Sequence, residues 1–369
     1  MHIMHVIDSL SVGGAERMLV ELANQTAADG HQVSICVTRS DCRLAGELRQ
    51  EIMLWTLRRH NRFELPALKK FAYLVKSQKV DLIHAHGRTT LAFLVLVKTL
   101  RLINLPIIFH DHYGLVELDT SIPFWFRYWG GFYVSHYVGV YSKLGAWAQL
   151  AQISKNKITV IENAIDLDPI CKSSPANIRK EFNISDDIPI GIVTCGIRRE
   201  KGIDILLEAL AQSSWAEKVK ILVVGGERDT PYFRTCNALR NALGLEKKVI
   251  FLGERLDARN LFHEVDFALI PSLSESGPLV LIEYMASGLP FVSTLVGGIS
   301  HRVFESGGQE FVPPGDARSF SEALDRLLNL TPRERRARGK IGQEIAKSSF
   351  DIKHQMPRWY NLYKTVLAS

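Results

Sequence analysis

A chain of 369 residues exceeds what one hydrophobic core ordinarily organises and predicts two domains. With 46% hydrophobic and 23% charged residues it has globular composition, which excludes a disordered or fibrous chain. The net charge of +6 suits an anionic ligand or an acidic membrane surface but is too small to argue for nucleic acid, and no nucleic-acid-binding signature accompanies it.

The five cysteines, Cys36, Cys42, Cys171, Cys195 and Cys236, are scattered and form no C-x-x-C. The expectation is reduced thiols in a cytoplasmic protein, not a disulfide framework or zinc knuckle. The opening MHIMHVIDSL lacks the basic and apolar regions of a signal peptide. The apolar stretch 89–105 is broken by Lys98 and Arg101 and reads as a packed helix, not a membrane span.

In chain order, the short branched runs IMHVI, QVSICV, IMLWTL, DLIHA, PIIFH, YVGVY and KITVI alternate with helix-length stretches. That alternation predicts βα units and a parallel sheet covered by helices. The first loop, DSLSVGGAER (8–17), follows a strand and opens a helix. Gly13 and Gly14 there permit close backbone approach and free amides that suit an anion or sugar, although an ordinary tight turn has the same composition.

Two H-x-H pairs follow, His84 with His86 and His110 with His112. Strand alternation puts the members of each pair on one face, a pattern that can ligate metal and so supports a metal-dependent hydrolase as a rival reading. No third cluster of His, Asp or Glu completes a set, so the expectation is one histidine facing a cleft and the others packed or solvated. IPFWFRYWGGFYV (122–134) gathers aromatics around Arg127, and LPALKKFAYLVK (65–76) is a second amphipathic stretch. They read either as a membrane-facing surface for a lipid-linked acceptor or as helices buried in the domain.

The D-x-D at 166–168 sits beside the polar segment 168–189 and reads as part of a link, not a metal site. A second series then begins: IGIVTCG, KILVVGG, KVIFLG, DFALIPS, PFVST and QEFVP, each followed by a helical stretch. The predicted organisation is two doubly wound α/β domains, 1–166 and 167–350, and a C-terminal helix, 351–369, packing back on the first. The basic run 333–340 reads as a solvated helix face.

Within the second series, CGIRREKG (195–202) offers Arg198, Arg199 and Lys201 where a strand end meets a helix, cations suited to a phosphate or to water alike. The stretch SLSESGPLVLIEYMASG (272–288) follows DFALIPS. Pro278 is expected at the first helical position, leaving the Leu279 and Val280 amides free at a helix start that favours an anion. Glu275 precedes that start and Glu283 lies roughly 7–8 Å along the helix. A carboxylate, an anion site and a second carboxylate in sequence fit a phosphate flanked by polyols. The bland alternative is a helix-capping Glu275 and a solvated Glu283.

Taken together and in order, GGAER, the Gly30-His31-x-Val33 strand start, DLIHAH, ITVIENAID, GIRREKGIDILLEAL, VIFLGE, PSLSESGPLVLIEYMASGLP and VPPGD (312–316) resemble the retaining family-4 glycosyltransferases of the GT-B fold. The resemblance runs along nearly the whole chain. It implies two Rossmann-like domains facing each other across a cleft, a nucleotide diphosphate sugar as co-substrate, and no obligatory metal or other cofactor. By the same resemblance Glu275 contacts donor hexose hydroxyls, Glu283 the ribose diol, and the Leu279 and Val280 amides the phosphates, in a loop with Ser276 and Gly277. Arg198, Arg199 and Lys201 face the diphosphate, Gly13 and Gly14 line the donor–acceptor junction, His112 lies near the transferring sugar with His110 as fallback, and the backbone at Arg255 brackets the base.

Two positions depart from the family pattern: G-I-R-R-E-K-G leaves open which arginine meets phosphate, and Asn163-Ala164 replaces an Asn-Gly. The implied reaction is retaining hexosyl transfer to a hydroxyl of a glycan or lipid-linked acceptor in envelope, capsular or exopolysaccharide synthesis, on the cytoplasmic side with peripheral membrane association. A sugar-nucleotide epimerase on the same fold is the alternative the fold alone leaves open.

Overall fold

The computed structural model of the protein describes residues 1–61, 63–171, 177–255 and 257–369, with backbone alone at Cys171. The 172–176 part of the polar link therefore lies outside the described residues. The chain forms two compact units, Met1–Ile165 with Ile352–Ser369, and Asp166–Asp351.

In the first unit all seven branched runs become strands: β1 (His2–Ile7), β2 (Gln32–Val37), β3 (Met53–Thr56), β4 (Leu82–His86), β5 (Ile107–Asp111), β6 (His136–Gly139) and β7 (Ile158–Val160). They pair in parallel in the order β3-β2-β1-β4-β5-β6-β7. Every residue of β1, β4 and β5 is buried, as a parallel sheet covered by helices on both faces requires. The second unit adds β8 (Ile190–Thr194), β9 (Lys220–Val224), β10 (Val249–Gly253), β11 (Phe267–Ile270), β12 (Phe291–Thr294) and β13 (Glu310–Val312), ordered β10-β9-β8-β11-β12-β13. In both sheets the chain winds outward from its first strand and then reverses to the other side. The reversals fall between β1 and β4 and between β8 and β11. Connections diverge there and leave a crevice at the carboxyl ends of the strands, where ligands bind in this topology.

The C-terminal helix Ile352–Ala368 belongs to the first unit, where Trp359 and Tyr363 are completely buried. Its entry is fixed by the Ile352 amide donating to the Ile165 carbonyl at 3.0 Å. The aromatic segment 122–134 follows neither expectation whole. Phe126 is fully buried against Trp147, 4.9 Å between ring centroids, whereas Phe124, Tyr128, Trp129 and Phe132 are 70%, 60%, 47% and 78% exposed. The apolar run from 89 resolves into helix Arg88–Thr99, and no helix among the described residues is long and apolar enough to cross a membrane. Cys36, Cys42, Cys195 and Cys236 are free thiols.

In the second unit, helix Pro332–Ser349 packs on helix Leu279–Ala286, and Gly339 makes the approach close. A Cβ at Gly339 would lie 1.8 Å from the Gly288 carbonyl oxygen, backbone that cannot step aside. Gly339→Ala is expected to destabilise the unit by about 1–3 kcal/mol through overpacking. Thermal unfolding measures it, and an unchanged midpoint would mean that the helix shifts freely.

Candidate active site

The crevice at the β8/β11 reversal collects polar side chains. After β8 a short helical turn, Arg199–Lys201, ends at Gly202 with φ +63°, a left-handed conformation that favours glycine. A Cβ there would stand 2.1 Å from the Pro271 carbonyl oxygen, so this loop lies directly against the end of β11. The Leu273 amide donates to the Glu200 carbonyl at 2.8 Å and ties the two loops together.

This contact brings Lys201 to Glu275. Lys201 Nζ donates to Glu275 Oε1 at 2.6 Å, and the two side chains are 14% and 10% exposed. Ser272 Oγ donates to the same oxygen at 2.9 Å. Pro278 then precedes helix Leu279–Ala286 with an extended ψ of 107°. It is the capping residue rather than the first helical one, because its carbonyl already accepts from the Leu281 amide at 3.2 Å. Leu279 and Val280 thereby become the first two helical residues, whose amides have no preceding turn to bond. Further in, Glu283 Oε1 accepts from Arg259 Nε at 3.0 Å and Nη2 at 2.8 Å. Neither glutamate is a helix cap or a solvated surface group; each is buried beside its own cation.

The other basic candidates pair with other carboxylates or are exposed. Arg198 is half exposed and pairs with Glu200 at 2.7 Å, and Arg199 is exposed. Arg255 bridges Asp257 at 2.8 Å and Glu181 at 3.0 Å, and these hydrogen bonds raise its pKa above the ordinary value. The Ser276 carbonyl accepts from the Gly298 amide at 3.0 Å, with Gly277 following in the loop. Sequence reasoning missed Ser272, which was readable three residues before Glu275. It also missed Arg259, 24 positions before Glu283 with no spacing to connect them.

Gly13, Gly14 and His112 belong to the first unit. Gly13 precedes helix Gly14–Ala28 in extended conformation, Gly14 is exposed, and a Cβ on Gly14 would meet nothing within 4 Å. Glu16 accepts from Ser11 Oγ at 3.2 Å beside this turn. His112 is half-buried just past β5, and it is not an isolated ring. Its Nε2 lies 3.2 Å from His86 Nδ1, His86 Nε2 lies 3.0 Å from His5 Nδ1, and His84 Nδ1 lies 3.0 Å from the Tyr363 hydroxyl. His110 packs at 3.9 Å from His112 and 4.9 Å from Trp359 between ring centroids. Of the four H-x-H rings His112 is the partly exposed one and His84, His86 and His110 are packed inside, and all four join His5 in a single cluster that the pairs alone did not signal. His5 was missed because only the register, which sets it opposite His84, links it to the pairs.

Two family models match the chain in tandem, Glycosyltransferase Family 4 over residues 12–169 and Glycosyl transferases group 1 over residues 189–330. The chain belongs to the family-4 glycosyltransferases. The enzyme is 25% identical over 97% of its length to N-acetyl-alpha-D-glucosaminyl L-malate synthase of Bacillus anthracis, covering 95% of that protein. It is 28% identical over 50% of its length to D-inositol 3-phosphate glycosyltransferase of Mycolicibacterium smegmatis, spanning only 42% of that relative. Among solved structures, Anabaena HepE in complex with UDP and glucose superposes with a TM-score of 0.84 at 19% identity, covering 99% of this chain and 100% of that one. That likeness shows the two-domain, Rossmann-like GT-B fold.

Burial holds the histidines of this glycosyltransferase neutral. His5 and His112 are pushed down to about 3, and His84, His86 and His110 lie well below the ordinary value through burial first and neighbouring imidazoles second. Folded-state values below 6.5 mean that the unfolded chain binds more protons in acid. The stabilisation is complete above that value and drains as pH falls toward 3, by up to about 1.4 kcal/mol per pH unit for each ring. In EDTA-containing buffer the urea midpoint of the first unit should fall steeply from about pH 7 to 5. A midpoint flat over that range would show the rings titrating normally in the folded protein.

Proposed function

We propose that this glycosyltransferase moves a hexosyl group from a UDP- or GDP-sugar to a hydroxyl of a glycan or lipid-linked acceptor, retaining the anomeric configuration and needing no divalent metal for the transfer. The observation that carries the donor half is the Lys201–Glu275 pair at the β8/β11 reversal, beside the unbonded amides of Leu279 and Val280. In this reading the diphosphate lies on those amides and on Lys201, with Arg198 or Arg199 adding charge. Glu275, held by Lys201 and Ser272, accepts from the hexose hydroxyls, and Glu283, oriented by Arg259, accepts from the ribose diol.

Departure of the diphosphate builds negative charge on its oxygens while the sugar becomes oxocarbenium-like. Fixed cations and helix amides answer that charge without reorganising, a contribution of about 3–4 kcal/mol for one well-placed donor. His112, neutral at physiological pH, is suited to a hydrogen bond at the transferring sugar, not to a fixed charge. HepE, bound to UDP and glucose, supports a uridine donor by likeness of fold.

For the acceptor, the exposed Phe124, Tyr128, Trp129 and Phe132 with exposed Arg127 support a lipid-linked substrate met at an anionic membrane surface. The near-full-length similarity to a malate-glycosylating enzyme favours a second reading, a small hydroxyl-bearing anion.

Differential scanning against a panel of nucleotide sugars tests the donor reading. A true donor at about a hundred times its Kd adds about 2.7 kcal/mol, and no response to any uridine or guanosine diphosphate sugar would sink it. Lys201→Ala and Glu275→Ala should each lower transfer by about 10²–10³-fold with the fold intact, and EDTA should leave transfer unchanged. Anionic liposomes should float the wild type but not a Phe124→Ser, Trp129→Ser, Phe132→Ser variant. Flotation indifferent to these changes would favour the small acceptor.

A further inference from the structure

The histidine cluster exceeds what hexosyl transfer asks of the first unit. His5, His84, His86 and His110 are at most 1% exposed, under the carboxyl ends of β1, β4 and β5. Each neutral ring carries one N–H and one lone pair. Yet His5 Nε2, His84 Nε2 and both nitrogens of His110 have no hydrogen-bond partner among the described residues. Buried polar atoms are nearly always satisfied, so this concentration of unmet ring nitrogens at one place is a chemical signal.

We propose that His86, His110 and His112 form a binding site for a divalent transition-metal ion of the zinc class, with His5 as the outer residue that orients His86. Each of the three rings has a nitrogen within 4.8 Å of those of the other two. A tetrahedral ion with Zn–N distances near 2.0–2.1 Å holds its ligand nitrogens roughly 3.3 Å apart. His86 Nδ1 and His112 Nε2 already stand 3.2 Å apart, so an ion can take the place of the proton between them with little movement. His110 supplies the third nitrogen from a ring with neither nitrogen otherwise engaged, on the strand residue registered opposite His86.

Binding through Nδ1 leaves the His86 proton on Nε2, 3.0 Å from His5 Nδ1. That is the outer hydrogen bond by which ligating histidines are fixed in tautomer and direction. Imidazole alone selects zinc, copper, nickel or cobalt over magnesium and calcium. The nearby Asp111 carboxylate is committed to Arg88 at 3.1 Å and to the Tyr137 hydroxyl at 2.9 Å.

A second trio, His5, His84 and His86, meets the same distance limit. It is wholly buried, with no partly exposed member to admit an ion. His112 is the half-buried member of the chosen set, giving an ion a way in, and three protein ligands leave a fourth position for water. The inference shares His112 with the donor reading, but its test reads ion binding and not turnover, so either can fail without the other.

The test is titration of the chelator-stripped full chain with Co2+, read by visible absorption. One equivalent should give the intense bands of a four-coordinate nitrogen site, and Zn2+ should bleach them. His110→Ala and His112→Ala should abolish the bands, His5→Ala should weaken affinity about ten- to a hundredfold, and the exposed His354→Ala should bind as wild type. Should the buried variants fail to fold, Cu2+ electron paramagnetic resonance of the unmodified chain should still resolve three imidazole nitrogens. Absence of a bound equivalent, a spectrum without three nitrogens, or variants that bind like the wild type would each overturn the site.

Discussion

A parallel strand covered on both faces has few places for polar chemistry. Its sides are committed to neighbouring strands and its faces to helices, so charged groups collect on the loops that leave its carboxyl end. The whole molecule follows from that constraint, applied twice. β8 carries the lysine loop and β11 the glutamate loop, and because the winding reverses between them the two strands are neighbours although 74 residues separate Lys201 from Glu275. The ion pair is therefore a product of strand order, and Gly202 is the local device that lets the first loop come flush against the second.

The two glutamates of the 272–288 stretch show how context decides chemistry. A carboxylate pair flanking one bond invites a hydrolytic reading with one acid and one base. Here each carboxylate is buried beside a separate cation, and a helix start with unbonded amides lies between them in sequence. Lys201 and Ser272 hold one carboxylate and Arg259 the other, so each is fixed separately as an acceptor for hydroxyls rather than set against its counterpart across one bond.

The strands were legible because each is a short branched run set off by helix-length stretches, a signal local in the chain. The helix start after Pro278 was legible for the same reason, and its one error, the position of Pro278, is a single residue in a cap where proline's fixed φ suits either place. What could not be read was whatever depends on partners distant in sequence. Arg259 meets Glu283 only through tertiary packing, and His5 meets His84 only through register. The aromatic segment misled in a different way. Its seven rings carry no mark of which face is covered, and the fold buries Phe126 while leaving Phe132 in solvent.

The histidine cluster is the feature with least support from local pattern and most from physics. Five imidazoles placed together would be intolerable if charged, so the fold keeps them neutral, and neutrality in turn makes the first unit sensitive to acid. A hydrophobic residue at each position would avoid that cost, as β-branched residues do elsewhere in the same strands. Part of the return is structural: His84 and His110 form the polar floor on which Trp359 and Tyr363 seat the C-terminal helix. That floor engages His84 through Tyr363 but leaves both nitrogens of His110 without a hydrogen-bond partner among the described residues. His86, His112 and His5 instead line up nitrogen to nitrogen toward the open end of β5, an arrangement that packing alone does not demand and that a shared proton or a shared metal ion does.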